Sequence, residues 1–196
     1  MPSDDKRWNQ CVDEFIKVRI PYVERIDCIP HENKFLSFNH SNYNTIKKGY
    51  ETGEPFCIFE SDVVFDERYK HIEEAFKQLP EDWDILYLGC NFIGSDLTTW
   101  RMPERYSPHL HRLYNAWQSH AIVYSNKGAK FVLDNFKPDE FPVLDEWIRV
   151  NMMQDKKVFV LNPMSVYQRP NFSGLWDRDV DYTYCHKHGN LLLKTL

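Results

Sequence analysis

The stretch Pro55-Phe56-Cys57-Ile58-Phe59-Glu60-Ser61-Asp62-Val63-Val64-Phe65 decides how the rest of the chain is read. Phe56 to Phe59 is a short, continuous apolar run behind a Gly/Glu/Pro turn, the pattern of a buried parallel strand. It stops at two carboxylates, Glu60 and Asp62, and a second apolar run follows at once. An isolated carboxylate is too costly to bury, so it neutralises or finds a cation. Open α/β sheets bind ligands at the carboxyl ends of their strands. One reading is therefore an acidic-x-acidic site for Mn²⁺ or Mg²⁺ against a nucleotide diphosphate. The competing reading is a strand end whose carboxylates are solvated or paired with Arg or Lys.

Working outward, apolar runs alternate with helical patterns. Residues 4–19 have Trp8, Cys11, Val12, Phe15, Ile16 and Val18 at spacings of three and four, which predicts an amphipathic helix capped by Ser3 or Asp4. Tyr22 to Ile29 reads as a strand stopped by Pro30. Helices are expected over Ser37 to Tyr50 and over 68–79, the latter closed by Pro80. Asp84 to Gly89 reads as a continuous apolar strand. Residues 90–119 are less regular, with short strands or a lid expected around Thr98–Leu113. His120 to Tyr124 reads as a strand, and Ser125 caps a helix running to about Phe136. A helix starts at Pro142 or Val143 and runs to about Met153. Val158 to Leu161 and Ser165 to Gln168 read as strands. The tail from Arg169 is expected to be loop-rich. Strands alternating with helices predict an α/β fold, a mostly parallel central sheet flanked by helices.

At 196 residues the chain is long enough for one full domain. It is 42% hydrophobic and 15% aromatic, a composition that fills cores and also lines sugar and base sites. A net charge of -5 argues against a nucleic-acid partner, which calls for a basic face. The five cysteines are widely spaced and odd in number, which disfavours a disulfide framework or a zinc site. Met1 to Arg7 is polar with no apolar segment behind it, and no stretch has the length to span a membrane. The expectation is a soluble, cytoplasmic protein, or one domain cut from a longer chain.

Several segments, in order, resemble the lipopolysaccharide-type glycosyltransferases of family 25, over about residues 4–172. Phe56 to Phe65 looks like that family's metal motif, a hydrophobic strand followed by Glu-Asp-Asp and Val-Val-Phe. Asp84-Ile85-Leu86-Tyr87-Leu88-Gly89 is similar to its next strand, and His120 to Lys130 to its strand-to-helix turn. Pro142-Val143-Leu144-Asp145-Glu146-Trp147 resembles its Pro-(hydrophobic)-Asp helix start. Val158 to Pro163 with Val166-Tyr167-Gln168 is similar to its terminal strands. Four departures stand out. The family's first strand is missing, Ser61 replaces the middle acid, Asn39-His40 stands for a Ser-His pair, and the chain is short. Small stand-alone forms of this kind are similar to glycosyltransferases of large DNA viruses, which would put the protein in the host cytoplasm.

The resemblance implies the GT-A fold, in one domain over 1–196 whose tail, 173–196, is a candidate for closing over the donor site. It also implies transfer of a sugar from a nucleoside-diphosphate sugar, a UDP-sugar first, to a glycan hydroxyl. Asp62 is the first expected ligand for Mn²⁺ or Mg²⁺, with Glu60 acting through water or on the ribose and Ser61 beside them. His186 and His188 are candidates for a further ligand, or two solvated tail histidines. Asp145, inside a helix start that favours its ionised form, is the expected base for an inverting displacement, with Glu146 as runner-up. The plain alternative is that either acid only stabilises its helix. His40, Arg7 and Asp5 are expected near the donor, and Trp100, Trp117 and Trp147 are candidate sugar platforms or core residues. Two other functions compete: an inactive nucleotide- or glycan-binding module of the same fold, and a phosphohydrolase or nucleotidyltransferase using the same acids.

Overall fold

The computed structural model of the chain describes residues 5–92, 101–140 and 143–196. Among these, six α-helices surround a six-stranded mixed sheet. Helix α1 (Asp5–Lys17) buries Cys11 and Phe15, four residues apart on one face. The expected caps Ser3 and Asp4 lie outside the described residues. Helix α2 (Lys34–Tyr50) starts earlier than its apolar pattern predicts. The side chain of Asn33 caps it, accepting from the N–H groups of Phe35 and Leu36.

The sheet contains β1 (Phe56–Phe59), β3 (Ile85–Tyr87), β4 (Glu104–Ser107), β5 (Leu110–Arg112), β6 (Ala121–Tyr124) and β7 (Val158–Leu161). Their spatial order is β1-β6-β3-β7-β5-β4. A second, two-stranded sheet pairs β2 (Val63–Phe65) with β8 (Val166–Gln168). Between β2 and β3 come a 3₁₀ turn, Glu67–His71, capped by Asp66, and helix α3 (Ile72–Gln78). Helices α4 (Asn126–Asn135) and α5 (Leu144–Asn151) follow β6, with Ser125 capping α4 as predicted.

The expectation of a mostly parallel sheet is corrected. Among the described residues only β3 and β7 pair parallel; β6 lies antiparallel between β1 and β3, and β5 antiparallel beside β7. The focal strand β1 lies, among the described residues, at the edge of this sheet, paired to β6 alone. The reason is physical: β3, β6 and β7 are buried on both faces, and a strand covered on both faces reads as a continuous apolar run whichever way it points. The pairings do leave β1, β3 and β7 running in the same direction, so their carboxyl ends share one edge.

The core has two layers, one on each face. Ile85 and Tyr87 point to one side with residues of α2, α4 and α5. Leu86 points to the other with Cys11 and Phe15 of α1 and with Val63 and Phe65 of β2.

Two further expectations are corrected. Tyr22 to Ile29 forms no strand: Tyr22 and Ile26 stay 78% and 42% exposed. That segment is instead tied to α2, where Ser37 Oγ donates to the carbonyl of Ile29 and Ser41 Oγ accepts from its N–H. The tail is not loop-rich. It forms a hairpin of β9 (Asn171–Ser173) and β10 (Arg178–Val180), then helix α6 (Thr183–Leu193). The pattern of α6 was hidden because two of its four buried positions, His186, Gly189, Asn190 and Leu193, are polar. No described helix is long and apolar enough to cross a membrane.

Candidate metal and acid–base site

Glu60 and Asp62 lie on the turn between β1 and β2. The turn is clamped by backbone. Glu60 N–H donates to the carbonyl of His120 (2.9 Å), and the carbonyl of Asp62 accepts from Arg169 N–H (2.7 Å). Side chains from three other segments meet the carboxylates. Ser119 Oγ donates to Glu60 Oε1 at 2.8 Å. Gln168 Nε2, at the end of β8, lies 3.2 Å from Glu60 Oε2 and 3.5 Å from Asp62 Oδ2. Asn171 Nδ2 donates to Asp62 Oδ2 at 2.9 Å. The other Asp62 oxygen, Oδ1, is buried with no hydrogen-bond partner among the described residues. Ser61 is exposed.

The Asp62 charge beside it disfavours the ionised form of Glu60. Burial, then the charge of Asp62, pushes Glu60 up to about 8; the Ser119 hydrogen bond and the Arg7 charge oppose the shift. Glu60 therefore keeps its proton at neutral pH without a cation. The folded chain then binds a proton that the unfolded chain releases near the ordinary value of 4.5, so this contribution to stability is lost as pH rises through about 8. His120, buried and pushed down to about 4, acts in the opposite sense, but only below its ordinary 6.5. In EDTA, stability should fall from pH 6.5 to 8, by at most about 1.4 kcal/mol per pH unit for one proton. Urea melts across that range check this; a flat or rising trend would contradict the protonated Glu60.

Asp145 sits in the first turn of α5, behind the extended Val143. Its Oδ1 accepts from Glu146 N–H (2.8 Å) and its Oδ2 from Gln118 N–H (3.1 Å). Burial raises its pKa against these two bonds, which makes it more basic than an ordinary Asp. Glu146 is engaged differently. Arg149 pairs with it at 2.5 Å, Trp117 Nε1 donates to it at 2.8 Å, and the Arg149 hydrogen bond holds its pKa down.

The segment Trp117-Gln118-Ser119-His120 joins these two groups. Trp117 and Gln118 hold the acids of α5, while Ser119 and His120 hold Glu60. Gln118 has a φ of 72°, a left-handed backbone that is uncommon outside glycine. That twist directs its N–H to Asp145 while Ser119 reaches Glu60.

The structure gathers only part of the predicted set. Arg7 reaches the neighbourhood through Asn171. Its Nη2 donates to Asn171 Oδ1 and to the carbonyl of Phe172, and Asn171 in turn meets Asp62. Asp5 pairs at the surface with Arg25. His40 pairs with Asp139 at 2.8 Å, before α5. His186 is buried on α6 with its Nε2 2.9 Å from Asp66 Oδ2, and His188 packs on Tyr184 at the surface. Trp147 is a core residue and Trp117 a hydrogen-bond donor to Glu146; Trp100 and Pro142 lie outside the described residues. Among the described residues, no three His, Cys, Asp or Glu side chains converge closely enough to hold a metal ion as they stand. Ser119, His120, Gln168 and Asn171 were missed from sequence. The one available signal was the polar pair Ser119-His120 directly before an apolar strand.

A scan against protein-family models and a search of curated proteins both return no match to the chain.

Proposed function

We propose that the chain is a metal-dependent glycosyltransferase of the GT-A type, moving a sugar from a nucleoside-diphosphate sugar, a UDP-sugar first, to a glycan hydroxyl. The observation that carries this is the acid pair at the end of β1 joined to the basic Asp145 by a single tetrapeptide. The sequence resemblance supports the same roles for the same residues. A divalent cation fits the donor set: hard carboxylate oxygens suit Mg²⁺ and Mn²⁺, and Asp62 Oδ1 is buried without a partner among the described residues.

Asp62, with Glu60, would hold the cation, which when bound neutralises charge on the leaving diphosphate as a Lewis acid. Ser119 and Gln168 orient Glu60. Asn171, steadied by Arg7, orients Asp62. Asp145 takes the proton of the attacking hydroxyl as general base. Its raised pKa suits that task, and the Gln118 N–H fixes one of its oxygens.

The test is nucleoside-diphosphate release across UDP-, GDP- and dTDP-sugars, with and without Mn²⁺. Cation-dependent release from at least one donor is expected; release of inorganic phosphate or pyrophosphate instead would point to a phosphohydrolase or nucleotidyltransferase. One observation favours a second reading, an inactive nucleotide- or glycan-binding module. The Gln168 amide nitrogen bridges one oxygen of each carboxylate, 3.2 Å from Glu60 and 3.5 Å from Asp62, without a cation. Calorimetric binding of UDP with no turnover of any donor would favour the module.

A further inference from the structure

His120 stands directly before β6 and is 2% exposed. Its Nε2 lies 3.3 Å from the carbonyl oxygen of Val166. A carbonyl only accepts, so Nε2 carries the hydrogen and the neutral ring keeps a lone pair on Nδ1. That Nδ1 is buried and has no hydrogen-bond partner among the described residues. Asp62 Oδ1 is in the same condition. The two belong to one region: the His120 carbonyl accepts from Glu60 N–H at 2.9 Å, two residues before Asp62, and Val166, which accepts from the ring, lies on β8, the partner of the β2 strand that follows Asp62. The ring is also tightly fixed. A Cβ on Gly89 would come within 3.0 Å of its Nε2 and within 1.8 Å of the Val166 oxygen, so the bare glycine backbone is what lets the His120–Val166 contact form.

Buried polar atoms without partners call for an explanation. An imidazole that donates from one nitrogen to a backbone carbonyl and leaves the other nitrogen open is the arrangement found around bound metals. Direct ligation by three side chains does not fit, because no such trio converges among the described residues. Mg²⁺ and Mn²⁺, however, keep several of their waters when bound by one or two carboxylates.

We propose that His120 Nδ1 accepts a hydrogen bond from a water molecule carried by the divalent cation on Asp62. His120 is then a positioning residue, an outer-sphere ligand that fixes the hydrated ion on the Asp62 side. This rests on the metal-dependent reading above. It replaces the tail histidines with a nitrogen from the mouth of β6.

The experiment measures Mn²⁺ affinity by electron paramagnetic resonance of the free ion, for wild type, Asp62→Asn, His120→Phe and His120→Gln. Wild type is expected to bind, Asp62→Asn to lose binding, and both His120 variants to bind at least about tenfold more weakly, as loss of outer-shell partners does elsewhere. A readout on the wild-type chain covers the case in which both His120 variants unfold. Nitrogen-15 spectra of its imidazoles should show His120 with Nε2–H and a bare Nδ1 at pH 7, and the Nδ1 resonance should move on adding Mg²⁺. A folded His120→Gln variant with wild-type affinity, beside an Asp62→Asn that has lost binding, overturns this inference alone. So does a protonated Nδ1, or one that ignores Mg²⁺ in a protein that binds it. A wild type that binds no Mn²⁺ overturns the metal-dependent reading and this inference together.

Discussion

Asp62→Asn is expected to abolish Mn²⁺ binding and to cut donor turnover by roughly 10²–10³-fold, the loss of several kcal/mol of charge stabilisation. Glu60→Gln is expected to cost less. The difference lies in what each carboxylate already holds. Both oxygens of Glu60 accept hydrogen bonds, from Ser119 and Gln168, and its raised pKa keeps a proton on it at neutral pH. Asp62 has one oxygen bonded to Asn171 and one buried and unpartnered among the described residues. The unpartnered oxygen gains most from a cation, because its desolvation is otherwise uncompensated. Asp62→Asn also removes a charge with one buried, unpartnered oxygen among the described residues, so the variant should melt no lower than wild type in EDTA. Isothermal titration with Mn²⁺, nucleoside-diphosphate release and a thermal melt check all three. Equal Mn²⁺ affinity and turnover in Asp62→Asn and wild type would sink the assignment.

Asp145→Asn should lower turnover by about 10²–10⁴-fold, the usual contribution of a positioned general base, while leaving Mn²⁺ affinity near wild type. The amide cannot take a proton, yet its oxygen can still accept from Gln118 or Glu146, so the fold should tolerate it. In wild type the acidic limb of the rate profile should lie above the ordinary Asp range, because burial raises the pKa of Asp145. Activity would thus rise with pH as Asp145 loses its proton. Steady-state rates from pH 4 to 8 for both proteins test this. A variant that keeps wild-type turnover would return Asp145 to a purely structural part at the start of α5.

The central strands, the cap at Ser125 and the helices α1 and α4 were legible in the sequence because each has a local cause, an apolar run or a capping hydroxyl. Strand direction was not. Ile85 to Tyr87 and Ala121 to Tyr124 are both buried throughout, and burial erases the alternation that separates antiparallel from parallel neighbours. The positions of Glu60, Asp62 and Asp145 could be named as candidates because acids at a strand end and at a helix start are local patterns. Their partners could not. Gln168 and Asn171 lie 106 or more positions away from Asp62 along the chain, and nothing in their immediate surroundings marks them. The tail histidines misled for a related reason. In sequence they form a polar cluster, but α6 turns His186 inward to Asp66 and leaves His188 at the surface.

The tetrapeptide 117–120 has one more consequence, in the currency of linkage. The backbone and side chains that grip Glu60 are continuous with those that grip Asp145, so a ligand at one end that depended on the conformation of this segment would be coupled to a ligand at the other. Coupling of this kind is reciprocal. Whatever an occupant of the acid pair gained from an occupant beside Asp145, the second would gain equally from the first, and Gln118, with its left-handed backbone, is the residue between the two grips.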